Sequence, residues 1–449
     1  MDTGDTAWVL TSAALVLLMT PGLALFYGGM VRSKSVLNMM MMSFSSLALI
    51  AVLWVLYGYS MAFGDDIGYG LVGNPGDFFG LKGLMNPEAL VFTVPSLAFV
   101  GFQAVFAIIT VALISGAIAD RAKFGAWLVF SALWATLVYF PIAHWVFAFD
   151  AVTGADFVGG WIANDLAALD FAGGTAVHIN AGAAALALAF VLGKRKGFGK
   201  EALRPHNLPL VMIGAGLLWF GWFGFNAGSA LGANVFAAVA WINTLSATAA
   251  ATLGWLLVEK FRDGKPTSLG AASGVVAGLV AITPACAAVN PVGALAIGVI
   301  AGVLCALAVG LKYRFGYDDS LDVVGVHLVG GLWGTISIGL FATANAPGAF
   351  GIDGLFFGGG VDQLWRQAVG AGAVMAYSLV ATLIIGFAIS KTIGFRIDEE
   401  FEVEGIDGAE HAESAYDFTS SGGGGLGLGS GHLAAATAAP ATASEGARA

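Results

Sequence analysis

Charged side chains are scarce in this sequence. Asp, Glu, Lys and Arg make up 11% of the 449 residues, whereas typical soluble domains carry about 25%. Hydrophobic residues make up 58%, so a soluble fold of this chain could not cover its own apolar surface. Glycine is abundant, at 65 residues, and small residues let helices pack closely in lipid. The composition therefore predicts an all-α polytopic membrane protein.

Positive charge and cysteine are also in short supply. The 19 Lys and Arg residues are outnumbered by 29 Asp and Glu, which leaves no basic surface for binding nucleic acid. The two cysteines, Cys286 and Cys305, lie in apolar runs, which excludes a disulfide framework and a cysteine-based metal site. Because Met1–Asp5 lacks the Lys or Arg of a signal peptide, we expect the first apolar run to be retained as a membrane span.

Apolar runs as long as a membrane-spanning helix, about 20 residues, occur eleven times. They lie at Ala7–Val31, Met42–Phe63, Ser96–Ala119, Phe124–Phe147, Phe171–Leu192, Leu208–Ser229, Asn234–Val258, Leu269–Val289, Val292–Lys312, Asp319–Thr343 and Ala368–Ser390. The odd-numbered connections carry Lys and Arg, whereas the even-numbered ones carry only Lys82 and Arg366. Because positive connections lie on the cytoplasmic side, the pattern predicts an outer N-terminus and a cytoplasmic C-terminus.

Two histidines lie within predicted spans at matching depths. His178 follows Asp170 by eight residues on a span that runs inward, and His327 follows Asp319 by eight on a span that runs outward. At 1.5 Å per residue, each lies about 12 Å from its own side of a core about 30 Å thick. The match predicts an inverted repeat of spans 1–5 and 6–10, followed by an eleventh helix.

Three interpretations of the histidines are open. Each could be a packing residue whose ring is hydrogen-bonded to a neighbouring carbonyl. A metal site would need a third ligand, and the remaining histidine inside a span, His144, lies near the outer end of that span. Since both histidines lie at mirrored depths beside glycines, we favour a shared pair that lines a pore, with no metal or cofactor.

Aromatic residues cluster in two further places. Phe102 and Phe106 lie four residues apart on one helical face, and the run Trp219–Ser229 interleaves rings, including Trp222 and Phe225, with glycines. Such a stripe is usually part of a core or an interfacial belt. The glycines and the terminal hydroxyl also suit a vestibule that attracts a small cation through cation–π contacts.

Several of these segments together resemble the ammonium transporter family (Amt/Mep/Rh), in its bacterial Amt form. The matching segments are Pro21–Gly29, Asp170–Asn180, Gly221–Ser229, Thr283–Cys286 and Asp322–His327. The resemblance extends from Ala7 to about Tyr416. It implies a homotrimer in the cell inner (plasma) membrane, in which each eleven-span protomer has its own narrow apolar path, and it implies no enzymatic activity.

The resemblance also assigns roles to individual residues. His178 and His327 would be the pore pair, Phe106 and Phe225 the rings that close the outer mouth, Ser229 the vestibule hydroxyl, and Asp170 the buried acid that organises the recruitment site. Phe102 and Trp222 complete the substrate-binding set that we expect from the aromatic clusters.

One position departs from the family pattern. The family usually has a tryptophan three residues after the histidine that is His144 here, and this sequence has Phe147 there. We place Phe147 in the substrate-binding set, while Trp145 and Trp161 are alternatives for the same ring of the vestibule.

The resemblance predicts an ammonium transporter. Ammonium, or methylammonium, would be recruited at the aromatic and hydroxyl vestibule and deprotonated, and ammonia would pass the twin histidines, with a proton relay as an option. Two alternatives on the same fold stay open, an ammonium sensor and an Rh-like channel for neutral gas. A membrane enzyme that uses the histidines is disfavoured because a third metal ligand is absent.

The chain changes character after the last predicted span. We expect a membrane domain at 1–391, a cytoplasmic regulatory segment at 392–418 and a low-complexity, disordered tail at 419–449. The acidic run Asp398–Glu404 has a docking surface in the basic loop Lys194–Lys196, although a solvated tail is the simpler alternative. The spaced apolar residues Phe395, Ile397, Phe401, Val403, Ile406 and Tyr416 are expected to pack under the inner mouths. By resemblance, this face would receive a trimeric P-II signalling protein.

Overall fold

The computed structural model describes residues 1–416, and the predicted tail at 419–449 lies outside them. The apolar helices are, in chain order, α1 (Thr3–Met30), α2 (Val36–Phe63), α3 (Ser96–Ile118), α4 (Phe124–Phe147), α5 (Gly174–Leu192), α6 (Leu208–Gly228), α7 (Val235–Arg262), α8 (Ser268–Ile282), α9 (Pro291–Phe315), α10 (Val324–Phe341) and α11 (Asp362–Thr392). Within the described residues, all of them except the 15-residue α8 are long and apolar enough to cross a membrane, which makes ten candidate spans.

The eighth predicted span, Leu269–Val289, is only partly helical. Helix α8 ends at Ile282, and the next residues form a turn that contains Pro284, whose ring nitrogen cannot donate a helical hydrogen bond. The side-chain amide of Asn243 donates to the carbonyls of Cys286 and Val289, at 2.8 Å each, and so stabilises this non-helical backbone. An eleventh span therefore stays a prediction.

The exterior of the helices is apolar. Many large side chains on the candidate spans are exposed, among them Leu10, Phe44, Val52, Leu253, Val299, Ile384 and Phe387. Polar residues such as Asn226, Asn243, Thr244 and Thr248 are instead buried between helices. This distribution, apolar outside and polar inside, is the one expected of helices in lipid.

Helices α5 and α10 share an unusual start. Each begins with a π-helical turn, at Gly174–Ile179 in α5 and at Val324–Leu328 in α10, in which backbone N–H groups bond five residues back. A π turn contains about one more residue than an α turn and is frequent at functional sites. His178 and His327 both lie inside these turns, so the same local device orients both rings.

The two helices also cross closely. A Cβ atom on Gly182 would lie 2.5 Å from the backbone nitrogen of Leu328, and one on Gly331 would lie 3.1 Å from the Cβ of His178. Glycine at these positions is what allows the backbones to approach. The Thr175 and Thr335 hydroxyls meet at 3.1 Å across the same contact.

Little strand structure accompanies the helices in residues 1–416. The α2–α3 connection contains β1 (Leu90–Val91) and β2 (Val94–Pro95), an antiparallel pair in the register Leu90 to Pro95 and Val91 to Val94.

The chain after α11 folds back onto the helices as α12 (Glu399–Glu404) and α13 (Ile406–His411). Phe395, Ile397 and Ile406 are buried, as expected. The expectation is wrong for Phe401 and Val403, which are 40% and 61% exposed. Helix α12 has fewer than two turns, and its inward position is taken by the buried carboxylate of Glu402.

Candidate functional site

The two histidines of the π turns meet in the protein interior. His178 and His327 are 1% and 3% exposed, and their Nδ1 atoms lie 3.2 Å apart. The ring centroids are 5.3 Å apart, with 28° between the planes. An N···N distance of this length fits a hydrogen bond in which one ring donates and the other accepts. The structure thus brings together the two residues that the sequence placed at mirrored depths.

A narrow cavity lies against this pair. Its volume is about 10 Å³, which is room for about one water-sized molecule. It is lined by His178, His327, Met19, Leu23, Phe26, Ile109, Leu113, Val177, Leu218, Trp222, Phe225 and Val276. The imidazoles are the groups in this lining that can accept a hydrogen bond well, and the rest is hydrocarbon or aromatic. The aliphatic lining could not be recognised from the sequence, because its residues come from five helices and look like ordinary apolar core.

Three phenylalanines continue from the histidines. The Phe225 ring centroid lies 6.0 Å from that of His178 and 4.2 Å from that of Phe106. Phe102 in turn lies 4.9 Å from Phe106. All three rings are buried, and Phe102 and Phe225 are fully so. The predicted phenylalanines therefore form a continuous series of ring contacts with the paired histidines, stacked at His178 and Phe225 and edge-on at Phe102 and Phe106.

Trp222 lies deeper than a vestibule residue would. Its ring stacks on His178 at 5.3 Å and 19°, and it lines the cavity. The indole N–H donates to the Thr283 hydroxyl at 2.8 Å, and the Thr283 hydroxyl lies 3.2 Å from the side-chain oxygen of Asn226. This polar chain fixes the indole against the imidazole. Thr283 belongs to a motif that the sequence contains, but its spacing gave no reason to connect it with Trp222.

The hydroxyl of Ser229 lies next to Phe225, one of these rings. Ser229 follows α6 and is partly exposed, and its Oγ donates to the carbonyl of Phe225 at 2.9 Å. This bond uses the hydroxyl hydrogen, so the oxygen lone pairs are left to accept from a cation.

The candidates for the vestibule ring separate into two places. Trp145 donates to the Leu71 carbonyl at 2.7 Å, and its ring packs on Tyr377 at 4.9 Å and on Trp161 at 5.9 Å. Trp145 and Trp161 thus belong to the packing between α4, α11 and the α2–α3 and α4–α5 connections. Phe147 lies next to Gly173, at the start of α5.

Asp170 holds the start of α5. Its two carboxylate oxygens accept from four backbone N–H groups, those of Gly173, Gly174, Thr175 and Ala176, at 2.7–3.1 Å. Burial raises the pKa of this carboxyl, and the four N–H bonds oppose that shift by favouring the ionised form. Asp170 therefore fixes the backbone of the π turn that contains His178.

Asp319 has the corresponding position before α10. It accepts from the N–H groups of Val323 and Val324 at 3.0 and 2.7 Å. Lys312 lies beside it and binds the Asp319 carbonyl at 2.9 Å and the Asp322 carboxylate at 2.6 Å. Within residues 1–416, no group of three or more His, Cys, Asp or Glu residues is arranged to hold a metal ion.

A protein-family model, the Ammonium Transporter Family, matches residues 7–416. The chain belongs to this family. It is 63% identical over 441 residues to an ammonium transporter of Mycobacterium tuberculosis, with 94% of this chain and 92% of the relative covered. It is 49% identical over 420 residues to an ammonium transporter of Bacillus subtilis, with 93% and 99% covered.

Solved structures of family members have the same fold. Mep2 of Saccharomyces cerevisiae, at 34% identity, superposes with a TM-score of 0.81 over 89% of this chain and 88% of that one. A sensor Amt protein, at 30% identity, gives a TM-score of 0.83 over 91% and 98%. The ammonium transporter family is one of transporters and not of enzymes. This member is a multi-pass membrane protein with ten apolar helices in the described part of the chain.

Proposed function

We propose that this protein carries ammonium across the cell inner membrane by conducting ammonia past the His178–His327 pair. The observation that carries the proposal is the contact between the two imidazoles, at 3.2 Å, on a cavity of about 10 Å³ that is otherwise apolar. The family membership and the named relatives support ammonium as the substrate.

The apolar lining favours a neutral molecule over an ion. Moving an intact ammonium or potassium ion into such a cavity without its water would cost many kcal/mol, since a desolvated charge is far less stable than a hydrated one. Ammonium can lose a proton and potassium cannot, so the cavity separates two cations of similar size. Phe106, Phe225 and Ser229 supply the π faces and the hydroxyl that would hold ammonium before it loses the proton.

The imidazole pair can form hydrogen bonds with ammonia in the cavity. If one Nδ1–H donates to the other Nδ1, the first ring has an Nε2 acceptor and the second an Nε2–H donor. The Nε2 of His178 is buried and has no hydrogen-bond partner among residues 1–416. Ammonia would satisfy this atom in either tautomer, because its N–H groups donate and its lone pair accepts, and the shared proton gives the pair a path for proton relay.

Electrical recording tests this proposal. Proteoliposomes on a solid-supported membrane would be exposed to a jump in ammonium concentration, with an equal potassium jump as the control. A current with ammonium alone indicates transport with net charge movement, whereas ammonia flux without current indicates the neutral gas channel. The absence of both current and flux would contradict transport. It would favour a sensor, the alternative suggested by similarity to a sensor Amt protein.

We also propose the finer architecture. The protomer would have eleven spans with an outer N-terminus and a cytoplasmic C-terminus, an inverted repeat of spans 1–5 and 6–10, and a homotrimeric assembly. The shared π turns of α5 and α10 support the repeat. Thiol labelling of Gly4→Cys and Ser420→Cys in intact cells should reach only the first. Because Cys286 and Cys305 are buried, background labelling should be low, and equal labelling of both variants would contradict the odd span count.

The segment 392–418 would be regulatory, joined to the membrane domain 1–391, and would help to bind a trimeric P-II protein. Glu402 accepts from the Lys196 N–H at 2.6 Å and from Arg396 at 2.7 Å, and Lys196 pairs with Glu399. Truncation after Ser390 should lower uptake and abolish P-II capture from membranes, whereas truncation after Phe418 should spare both. Equal uptake and capture in the two truncations would contradict a regulatory role.

A further inference from the structure

A second cavity, separate from the histidine pair, lies where the C-terminal segment meets two connections between helices. Its volume is about 390 Å³, within the range of small-molecule sites. It is lined by Arg32, Ser33, Lys34, Ser35, Arg204, His206, Glu402, Val403 and Gly405. The lining thus comes from the α1–α2 connection, the α5–α6 connection and the α12 region, and it contains three permanently basic side chains.

The negative charge in this lining is already paired with protein groups. Glu402 is the one acid among the lining residues, and its carboxylate bonds to Arg396 and to the backbone N–H of Lys196. Arg32 is compensated as well, since its Nη2 donates to the Glu402 carbonyl at 3.0 Å and its Nε lies 3.6 Å from Asp120. The cavity therefore has a positive excess that depends on Lys34 and Arg204.

Lys34 and Arg204 are uncompensated. Within residues 1–416, neither side chain has a hydrogen bond or an ion pair, and both are exposed at the cavity. A buried hydroxyl also indicates that a ligand binds in this cavity. Ser35 lines the cavity and is 2% exposed, yet its Oγ has no hydrogen-bond partner in the described part of the chain. A buried hydroxyl of this kind costs free energy unless a ligand binds it.

We propose that this cavity binds a phosphate-bearing anion on the cytoplasmic side of the protein. Lys34 and Arg204 would supply charge-assisted hydrogen bonds, and the Ser35 hydroxyl would donate to a phosphate oxygen. His206, whose Nδ1 is already 2.9 Å from the Val31 carbonyl, lies in the same wall. The chemistry is shared by a soluble phosphorylated metabolite and by the headgroup of an anionic phospholipid, so the experiment must distinguish these two sources.

Binding at this cavity would be coupled to the C-terminal segment. Glu402, Val403 and Gly405 form one wall, so the complete site exists only while α12 is docked. A ligand that binds only the docked form must stabilise that form, by a free energy that grows with the logarithm of one plus its concentration divided by its dissociation constant. The anion would therefore hold the segment in place. This inference does not rest on ammonium conduction, and the measurements below do not use transport.

The test uses full-length protein in two kinds of nanodisc. In phosphatidylcholine nanodiscs, inorganic pyrophosphate is titrated by calorimetry, and amide hydrogen exchange is followed at residues 399–411. In the second kind, phosphatidylglycerol is mixed with phosphatidylcholine and no pyrophosphate is added. Saturable pyrophosphate binding with slower exchange supports a soluble ligand. Slower exchange with phosphatidylglycerol alone supports a lipid headgroup.

Matched variants decide whether the cavity is responsible. Lys34→Gln and Arg204→Gln should each weaken binding by about tenfold, since each removes a charge-assisted contact. Ser35→Ala should weaken it about threefold, and its folding should be unaffected because the hydroxyl has no protein partner. Lys200→Gln removes an equal charge from the same connection as Arg204 but lies outside the cavity, so its binding should match the wild type.

Two results would overturn the proposal. One is the absence of both pyrophosphate binding and phosphatidylglycerol-dependent protection. The other is an equal loss of binding in Lys200→Gln and Arg204→Gln, which would mean that general surface charge attracts the anion. Size-exclusion elution of each variant, compared with the wild type, checks that the protein is folded.

Discussion

The starts of α5 and α10 are two versions of one design, and they differ in charge. Each has an aspartate that accepts backbone N–H bonds, followed eight residues later by a buried histidine in a π turn. Asp170 accepts four such bonds and has no cation beside it in the described structure. Asp319 accepts two and lies beside Lys312, which also binds Asp322. Backbone N–H groups thus supply the hydrogen bonds to Asp170, whereas Asp319 also lies beside a cation.

The Asp319 half is also part of a larger ion network. Arg195 contacts the neighbouring Asp318 through its Nε at 2.9 Å and Asp120 through its Nη1 at 3.2 Å. Burial alone would raise the pKa of Asp318, but the hydrogen bonds and charge of Arg195 outweigh burial and hold that pKa below its usual range. The comparison shows two ways to hold a buried aspartate: Asp170 is bound by backbone N–H groups alone, whereas Asp319 also lies beside Lys312 and next to the Arg195–Asp318 pair.

The largest expected effect comes from removing either histidine, where the two halves meet. His178→Ala or His327→Ala should lower methylammonium uptake by about 100-fold, because each leaves its partner's Nδ1 unpaired in a dry cavity. If the rings act as one unit, the double variant should be no worse than either single one. A double variant with the product of the two single losses would mean that the rings act independently.

The second effect distinguishes the two halves directly. Asp170→Asn should lower uptake by about tenfold or more and reduce the thermal unfolding midpoint, because an amide nitrogen would face backbone donors at a cost of about 1–3 kcal/mol each. Asp319→Asn should have a smaller effect, since Lys312 keeps its bond to Asp322. Uptake and thermal unfolding of both variants in detergent measure the difference. Equal losses would remove the distinction between the halves.

A third, smaller effect lies where the C-terminal segment meets the start of α2. The Asp407 carboxylate accepts from the N–H groups of Leu37 and Asn38 at 3.0 and 2.8 Å and so caps α2. Asp407→Ala should cost about 0.5–2 kcal/mol of local stability, as removal of a helix cap does, and should speed amide exchange at 406–411. Glu404→Ala is the matched control, because the Glu404 side chain is exposed and makes no hydrogen bond or ion pair within residues 1–416. Unchanged exchange in Asp407→Ala would mean that the cap does not hold α13.

The smallest effect concerns recruitment of the cation at Ser229. Ser229→Ala should raise the ammonium concentration for half-maximal uptake about threefold without changing the maximal rate, since it removes one neutral acceptor. Ser246→Ala is the control, because its hydroxyl makes the same bond to a carbonyl four residues back, that of Ile242, on an exposed face. A change in maximal rate with constant half-saturation would contradict a recruiting role for Ser229.

The ten candidate spans of the described residues were predictable because long apolar runs are local features. The histidine contact was predictable from the mirrored spacing of Asp170 to His178 and Asp319 to His327. The shortening of α8 was not, because residues 283–289 are apolar, and what stops the helix there is Pro284 together with the distant amide of Asn243.

The depth of Trp222 and the exposure of Phe401 were likewise beyond sequence patterns. The first depends on a hydrogen bond to Thr283, 61 residues away, and the second on which face of a very short helix is held by Glu402. Contacts between residues so distant in sequence cannot be predicted from the periodicity of the sequence. The predicted inward packing of Phe401 and Val403 is therefore wrong for a reason that only tertiary contacts supply.

The π turns constrain the number of residues that precede each of the paired histidines. Deleting one residue from 174–179 would restore an ordinary α turn and rotate everything before it by about 100° relative to the rest of α5. Asp170 and its four N–H bonds would then face another direction, while a substitution in the same turn would leave the rotation intact. Natural variation in 174–179 and 324–328 should accordingly consist of exchanges of residues and not of insertions or deletions.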